Sequence, residues 1–302
     1  MATKSIKFNS VQVLRCLAAN CVVLAHLVVV EGKYTVGETL LPARLEVAGP
    51  LGVYLFFVIS GFVIIQAASR ESWRAFLYAR VTRIYPIYWI VTSIVLAVWL
   101  WRPEMVNASI KGEISIWKSY LLIPQKTPPL LAVGWTLVYE MYFYLAVTIV
   151  LAAKFRPMVV LPIWSAAIVI AWLTVAPSHP VLIIVTKPIT LLFIFGAFLG
   201  LYVQSRKVHR ARQPSRFEKL FILLGDASYS TYLLHVLIIS ALWRFAGLLP
   251  WQAPAAFLMV LSIVAANVGG LVSYWYLEKP ILRFARRIAG RQDSRPLGPH
   301  PG

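Results

Sequence analysis

Eight runs of 17 to 23 mostly apolar residues alternate with short polar segments along the chain: 11–30, 49–68, 85–101, 134–153, 158–176, 183–203, 228–247 and 255–277. A helix rises about 1.5 Å per residue and a bilayer core is about 30 Å thick, so a run of roughly this length crosses once. The pattern predicts an all-α fold, a polytopic transmembrane helical bundle. A further apolar stretch, Ile114 to Ile123, is too short to span and is expected to lie at the interface or to re-enter.

Composition agrees with this pattern. The 302 residues are 60% hydrophobic with a mean hydropathy of +0.74, against about 45–50% apolar in an ordinary soluble domain, which excludes a water-soluble fold. A net charge of +18 first suggests nucleic acid, but the basic residues fall in short segments between apolar runs. With the N-terminus inside, 21 of the 29 Lys and Arg lie on inner segments. That is the distribution of loops held at an anionic cytoplasmic leaflet, not of a nucleic-acid surface. Every inner segment is then basic, so both termini are expected in the cytoplasm. The first run contains Arg15 and His26 and no small-residue cleavage site, and reads as a retained helix. The bundle is expected to occupy residues 1–289, with the Pro- and Gly-rich 290–302 a disordered tail. Cys16 and Cys21 form neither a disulfide framework nor a metal site.

Ionisable groups inside a membrane are costly, so each is a functional candidate. Lys187 and Arg244 lie near the outer ends of their runs, where long side chains snorkel to the headgroups. His26 and Glu140 are short side chains placed by residue counting about 6–9 Å below the outer ends, at similar depth. Arg15 and His26 are eleven residues apart, three helical turns, and so share one face about 16 Å long. An imidazole beside a carboxylate suits removal of a proton from a hydroxyl, the carboxylate fixing the tautomer. Arg80 and Arg83 share a helix face at the inner surface and match bidentate phosphate binding, although a positive-inside loop looks the same. Ser60–Gly61 is a small-residue step that permits close helix packing or close approach of a ligand. No nucleophile elbow, Walker A or Rossmann glycine pattern is present.

Several segments, in order, carry a resemblance: Arg15 and His26 with ten residues between them, GPLGVYLFFVISGF at 49–62, RVTRIYP at 80–86, GWTLVYEMYFY at 134–144, GDASYSTYLLH at 225–235 and EKP at 278–280. Together they resemble the acyltransferase family 3 membrane proteins, and most closely the branch that O-acetylates exopolysaccharide and surface carbohydrate. Ala79 stands where members often carry another basic residue, and many members have ten spans, so about eight to ten are expected.

The resemblance implies a multi-pass protein of the bacterial cytoplasmic (inner) membrane. It would take an acyl group, usually acetyl, from acyl-CoA and deliver it to a hydroxyl of a polysaccharide or a lipid-linked saccharide. By position, Arg15, Arg80 and Arg83, with Ser60, would hold the acetyl-CoA donor. His26 would deprotonate the acceptor or briefly carry the acyl group, and Glu140 would orient or charge-balance it. Acetyl-CoA would be a donor substrate; no permanently bound cofactor and no metal are expected. Ser60 and His235 match family motifs, with no sharper role than lining the path. The alternatives are a flippase for lipid-linked sugars, or a noncatalytic partner in exopolysaccharide synthesis.

Topology can be checked directly. A reporter fused after Val106 is expected to be active outside and one after Arg212 inside; the reverse pattern would invert the whole orientation.

Overall fold

The structure, a computed structural model, describes residues 8–34, 39–106, 113–206, 213–248 and 253–293. Among them it is helical, with no strand. Twelve α-helices are present there: α1 (Asn9–Tyr34), α2 (Ala48–Ala68), α3 (Trp73–Trp101), α4 (Ile116–Leu121), α5 (Trp135–Ala152), α6 (Pro157–Thr174), α7 (Pro180–Thr186), α8 (Thr190–Ser205), α9 (Arg216–Asp226), α10 (Ser228–Ala246), α11 (Ala255–Ser273) and α12 (Lys279–Asp293). Six helical segments among the described residues are long and apolar enough to cross a membrane, or eight if each of two bent pairs is one span. The pairs are α7 with α8, bent by 40°, and α9 with α10, bent by 70°. The upper expectation of ten is not reached among these residues. Helix α12 runs four residues into the segment expected as a tail, and 294–302 lie outside the described residues.

Helix α2 lies along both α1 and α8. Ser60–Gly61 makes the close approach to α8 possible. A Cβ on Gly61 would sit 1.9 Å from the carbonyl oxygen of Phe193, and one on Gly196 would sit 2.0 Å from that of Val58. Each glycine thus admits the other helix's backbone, as small residues do at membrane-helix contacts. Beside this contact, rings stack from α2 through α8 and α5 to α6: Phe57 on Phe193 at 4.3 Å, Phe193 on Phe143 at 4.7 Å, Phe143 on Trp164 at 5.6 Å.

The short stretch at Ile114–Ile123 packs against the middle of α3. It forms α4, ends on Leu122 at φ 54°, and hangs on side chains of α3. Tyr88 donates to Ser119 O at 2.6 Å, Trp89 to Tyr120 O at 3.0 Å and Tyr85 to Leu121 O at 3.0 Å. A short helix leaves its last carbonyls without partners. Inside a membrane such backbone persists only where protein satisfies it, which these aromatic donors do. Tyr88 is midway along α3, about 20 Å from Trp101 at 1.5 Å per residue. Gly134, which precedes α5, also lies against the Tyr88 ring. Helix α5 therefore starts deep in the bundle, not at its outer edge.

At the end rich in Arg and Lys, helix α9 is fixed by a capping box, Ser215 N–H donating to Glu218 Oε2 at 2.7 Å and Glu218 N–H to Ser215 Oγ at 3.2 Å. Between α11 and α12 the chain winds as one π-helical turn over Tyr274–Glu278. The extra residue in that turn brings Glu278 inside, 2% exposed.

The Gly61–Gly196 contact makes a stability prediction. Gly61→Ala and Gly196→Ala should each cost about 1–3 kcal/mol by forcing the backbones apart, seen as a lower melting temperature in detergent. Unchanged melting would mean that α2 and α8 do not pack this closely.

Candidate functional site

Five helices bring their polar residues to one internal cavity. Arg15 of α1, Ser60 of α2, Arg83 of α3, Glu140 of α5, and Tyr229 and Tyr232 of α10 line it, together with apolar residues such as Phe56 and Phe57. A smaller cavity adjoins it toward the basic end. It shares Arg15, Ser60 and Arg83 and adds Arg80 and Tyr144. The two spaces thus meet at Arg15 and Arg83.

Two of the arginines of this site carry an unsatisfied donor. Nε of Arg15 and Nε of Arg80 are buried with no hydrogen-bond acceptor among the described residues. The carboxylate nearest Arg80 is that of Glu71, at 3.9 Å, and the Arg80 guanidinium lies over the Phe76 ring, 5.4 Å from its centroid. Charge balance comes from a distance. Glu140 and Glu278 act on Arg15 with favourable potential and Arg83 with unfavourable. Glu278 Oε2 accepts from Ser230 Oγ at 2.7 Å, and the positive charges of Arg83 and Arg15 act on it.

Glu140 sits elsewhere than the residue count placed it. Because α5 begins deep in the bundle, the carboxylate is level with Arg15 and Ser60 and three turns of α1 away from His26. Its Oε1 accepts from Ser60 Oγ at 2.9 Å and from the hydroxyl of Tyr144, one turn further along α5. The expectation of similar depth is therefore corrected. The structure brings Glu140 to the arginines and Ser60, and no hydrogen bond joins it to His26 among the described residues.

His26 meets another histidine instead. Its Nδ1 is 2.9 Å from Val22 O, one turn earlier on α1, and 3.3 Å from His235 Nε2 on α10. The rings are edge to face, 4.8 Å between centroids. His235 is fully buried, with its Nδ1 2.6 Å from Tyr232 O. Tyr232 links this pair to the cavity. Its hydroxyl bonds Val133 O at 2.9 Å and Thr136 Oγ1 at 2.8 Å, and its ring meets Phe56 at 5.8 Å.

Two of these residues lay in motifs whose roles the sequence left open. Ser228, Tyr232 and His235 share a face of α10 through their i, i+4, i+7 spacing, a signal present in GDASYSTYLLH. Glu278 follows directly on an apolar run, and only the π-helical turn reveals that it faces inward. Of the remaining cations in the apolar runs, Arg244 donates to Met105 O at 3.3 Å and lies over Tyr34 at the end of α1 away from Arg15, and Lys187 is exposed at the α7–α8 break.

The apolar helices and the arginines gathered around an internal cavity define the class as a multi-pass membrane protein with a charged interior. Residues 8–212 match the family described as Acyltransferase domain, acyltransferase family 3. The chain belongs to that family. It is also 28% identical over 307 residues to "Exopolysaccharide production protein ExoZ" of Rhizobium meliloti (strain 1021), an alignment covering 82% of this chain and 94% of that protein. No solved structure matches.

The charge balance around Arg83 can be tested by a double-mutant cycle. Arg83→Gln and Glu278→Gln should each lower thermal stability, because each leaves a buried charge less compensated. The double variant should lose less than the two losses together by about 1–3 kcal/mol. Strict additivity would separate the two groups.

Proposed function

We propose that the protein is a membrane O-acyltransferase. It moves an acyl group, acetyl in the simplest reading, from acyl-CoA at the cytoplasmic face to a hydroxyl of an exported or surface polysaccharide or of its lipid-linked precursor. The observation that carries the reading is the Nε–H groups of Arg15 and Arg80, buried beside Arg83 without hydrogen-bond acceptors among the described residues. A buried cation with unsatisfied donors is costly, and a phosphate-bearing ligand supplies the missing acceptors bidentately. Membership of an acyltransferase family makes acyl-CoA the anion of choice, and the name of the Rhizobium meliloti relative favours polysaccharide as acceptor.

The acyl donor would enter from the basic end with its phosphates at Arg15, Arg80 and Arg83. Ser60 and Glu140, joined by a hydrogen bond, would line the passage, and Glu140 would balance the arginine charge instead of orienting His26. The thioester arm would follow the face of α1 from Arg15 to His26, about 16 Å. His26 removes the proton of the acceptor hydroxyl as its oxygen attacks the thioester carbonyl. The C–S bond breaks, and the departing sulfur takes the proton back from His26. The sum is an ester and free CoA thiol, with no other reactant required. His26 does not line the cavity, whereas Tyr232 and Phe56 do, and the arm would have to pass these rings to reach it.

Transfer of labelled acetyl from acetyl-CoA to polysaccharide, assayed in membranes with and without this chain, tests the reading. His26→Ala should lose about 10²–10⁴-fold in rate. Arg15→Gln should raise KM for acetyl-CoA about 10- to 100-fold, the worth of a hydrogen bond to a charged group. Equal transfer without the chain would sink the proposal, and substrate movement with no acyl donor would favour a flippase.

A further inference from the structure

The two histidines that meet between α1 and α10 have only one arrangement of protons that satisfies their neighbours. Val22 O and Tyr232 O are carbonyl oxygens and can only accept. Tyr232 O lies 2.6 Å from His235 Nδ1, so that nitrogen carries a hydrogen. His235 is 0% exposed, and no carboxylate contacts it among the described residues. A second proton would place an unpaired charge in the bundle at high cost, so its Nε2 holds a lone pair. His26 Nδ1 then faces two acceptors, Val22 O at 2.9 Å and His235 Nε2 at 3.3 Å, and must carry a hydrogen shared between them. A neutral imidazole has one N–H. The lone pair of His26 is thereby left on Nε2, which no described residue hydrogen-bonds and which is not among the fully buried unpartnered atoms.

We propose that His235 is the positioning residue that sets the working tautomer of His26, directing its basic lone pair to Nε2. This inference rests on the acyl-transfer reading. A carboxylate is the common orienting partner for a catalytic imidazole, and here the chain Tyr232 O, His235, His26 does the same task with neutral groups. The carboxylates nearby are engaged elsewhere: Glu140 by Ser60 and Tyr144, and Glu31, five residues along α1, by the backbone N–H groups of Leu40 and Leu41 at 2.6 and 3.0 Å. When His26 Nε2 accepts the proton of the sugar hydroxyl, its Nδ1–H bond to the His235 lone pair becomes charge-assisted and strengthens. His235 touches no substrate and exchanges no proton with it. Tyr232 couples this arrangement to the donor cavity, since one residue both lines that cavity and accepts from His235.

Three measurements test the pairing on the full chain in bilayers. Nitrogen-15 NMR of histidine-labelled protein should show His26 protonated at Nδ1 and bare at Nε2, assigned by loss of those signals in His26→Gln. In acetyl transfer, His235→Phe keeps a ring and removes the acceptor, and should lower kcat about 10- to 100-fold with KM for acetyl-CoA unchanged. His235→Gln returns an acceptor oxygen near the lost lone pair and should recover kcat to within about fivefold of the native protein. His26 protonated at Nε2 in the native protein overturns the proposal. So does native kcat in His235→Phe, or a His235→Gln as slow as His235→Phe when both melt like the native chain. If His235→Phe does not fold, the native NMR spectrum decides alone. Native membranes that transfer no acetyl would defeat the acyltransferase reading, and the spectrum would still decide the histidine pairing.

Discussion

A guanidinium inside an apolar bundle must be neutralised, hydrated or kept for a ligand, and the arrangement of this protein follows from how it meets that constraint. Arg15, Arg80 and Arg83 converge from α1 and α3 on adjoining cavities. Apart from Glu71, 3.9 Å from Arg80, no carboxylate lies within ion-pair range of them among the described residues. Glu140 is held by Ser60 and Tyr144, Glu278 by Ser230. Nε of Arg15 and Nε of Arg80 keep no acceptor among the described residues.

The irregular parts of the fold serve this arrangement. The segment around α4, held against the middle of α3, lowers the start of α5, which carries Glu140 to the arginines. The π-helical turn at Tyr274–Glu278 turns Glu278 inward, as such turns often do at functional sites. The 70° bend between α9 and α10 puts Ser228, Tyr229 and Tyr232 against the cavity. Close packing of α2 on α8 through Gly61 and Gly196 gives these devices a rigid wall.

Much of this was legible in the sequence, and the failures share a physical cause. Apolar run length gave the spanning helices, and helical periodicity gave the Arg15–His26 face and the Arg80–Arg83 pair, since both depend only on local geometry. Glu140 was misplaced in depth because counting from the start of a run assumes that the run starts at the membrane surface. In this chain the residues before Trp135 have already descended to Tyr88. Glu278 was overlooked because one inserted helical residue reverses a side chain's direction and leaves no mark in hydropathy. His235 stood in a quoted motif, but its partner lies 209 positions away, a pairing that only the tertiary fold supplies.

The proposed function requires the buried arginines to form a donor site open to the cytoplasm. Equilibrium binding of acetyl-CoA to sealed vesicles of opposite orientation tests it most directly. Inverted vesicles carrying the protein should bind acetyl-CoA, with binding lost in Arg15→Gln, and right-side-out vesicles should not bind it. Binding confined to right-side-out vesicles, or unchanged by Arg15→Gln, would contradict the account.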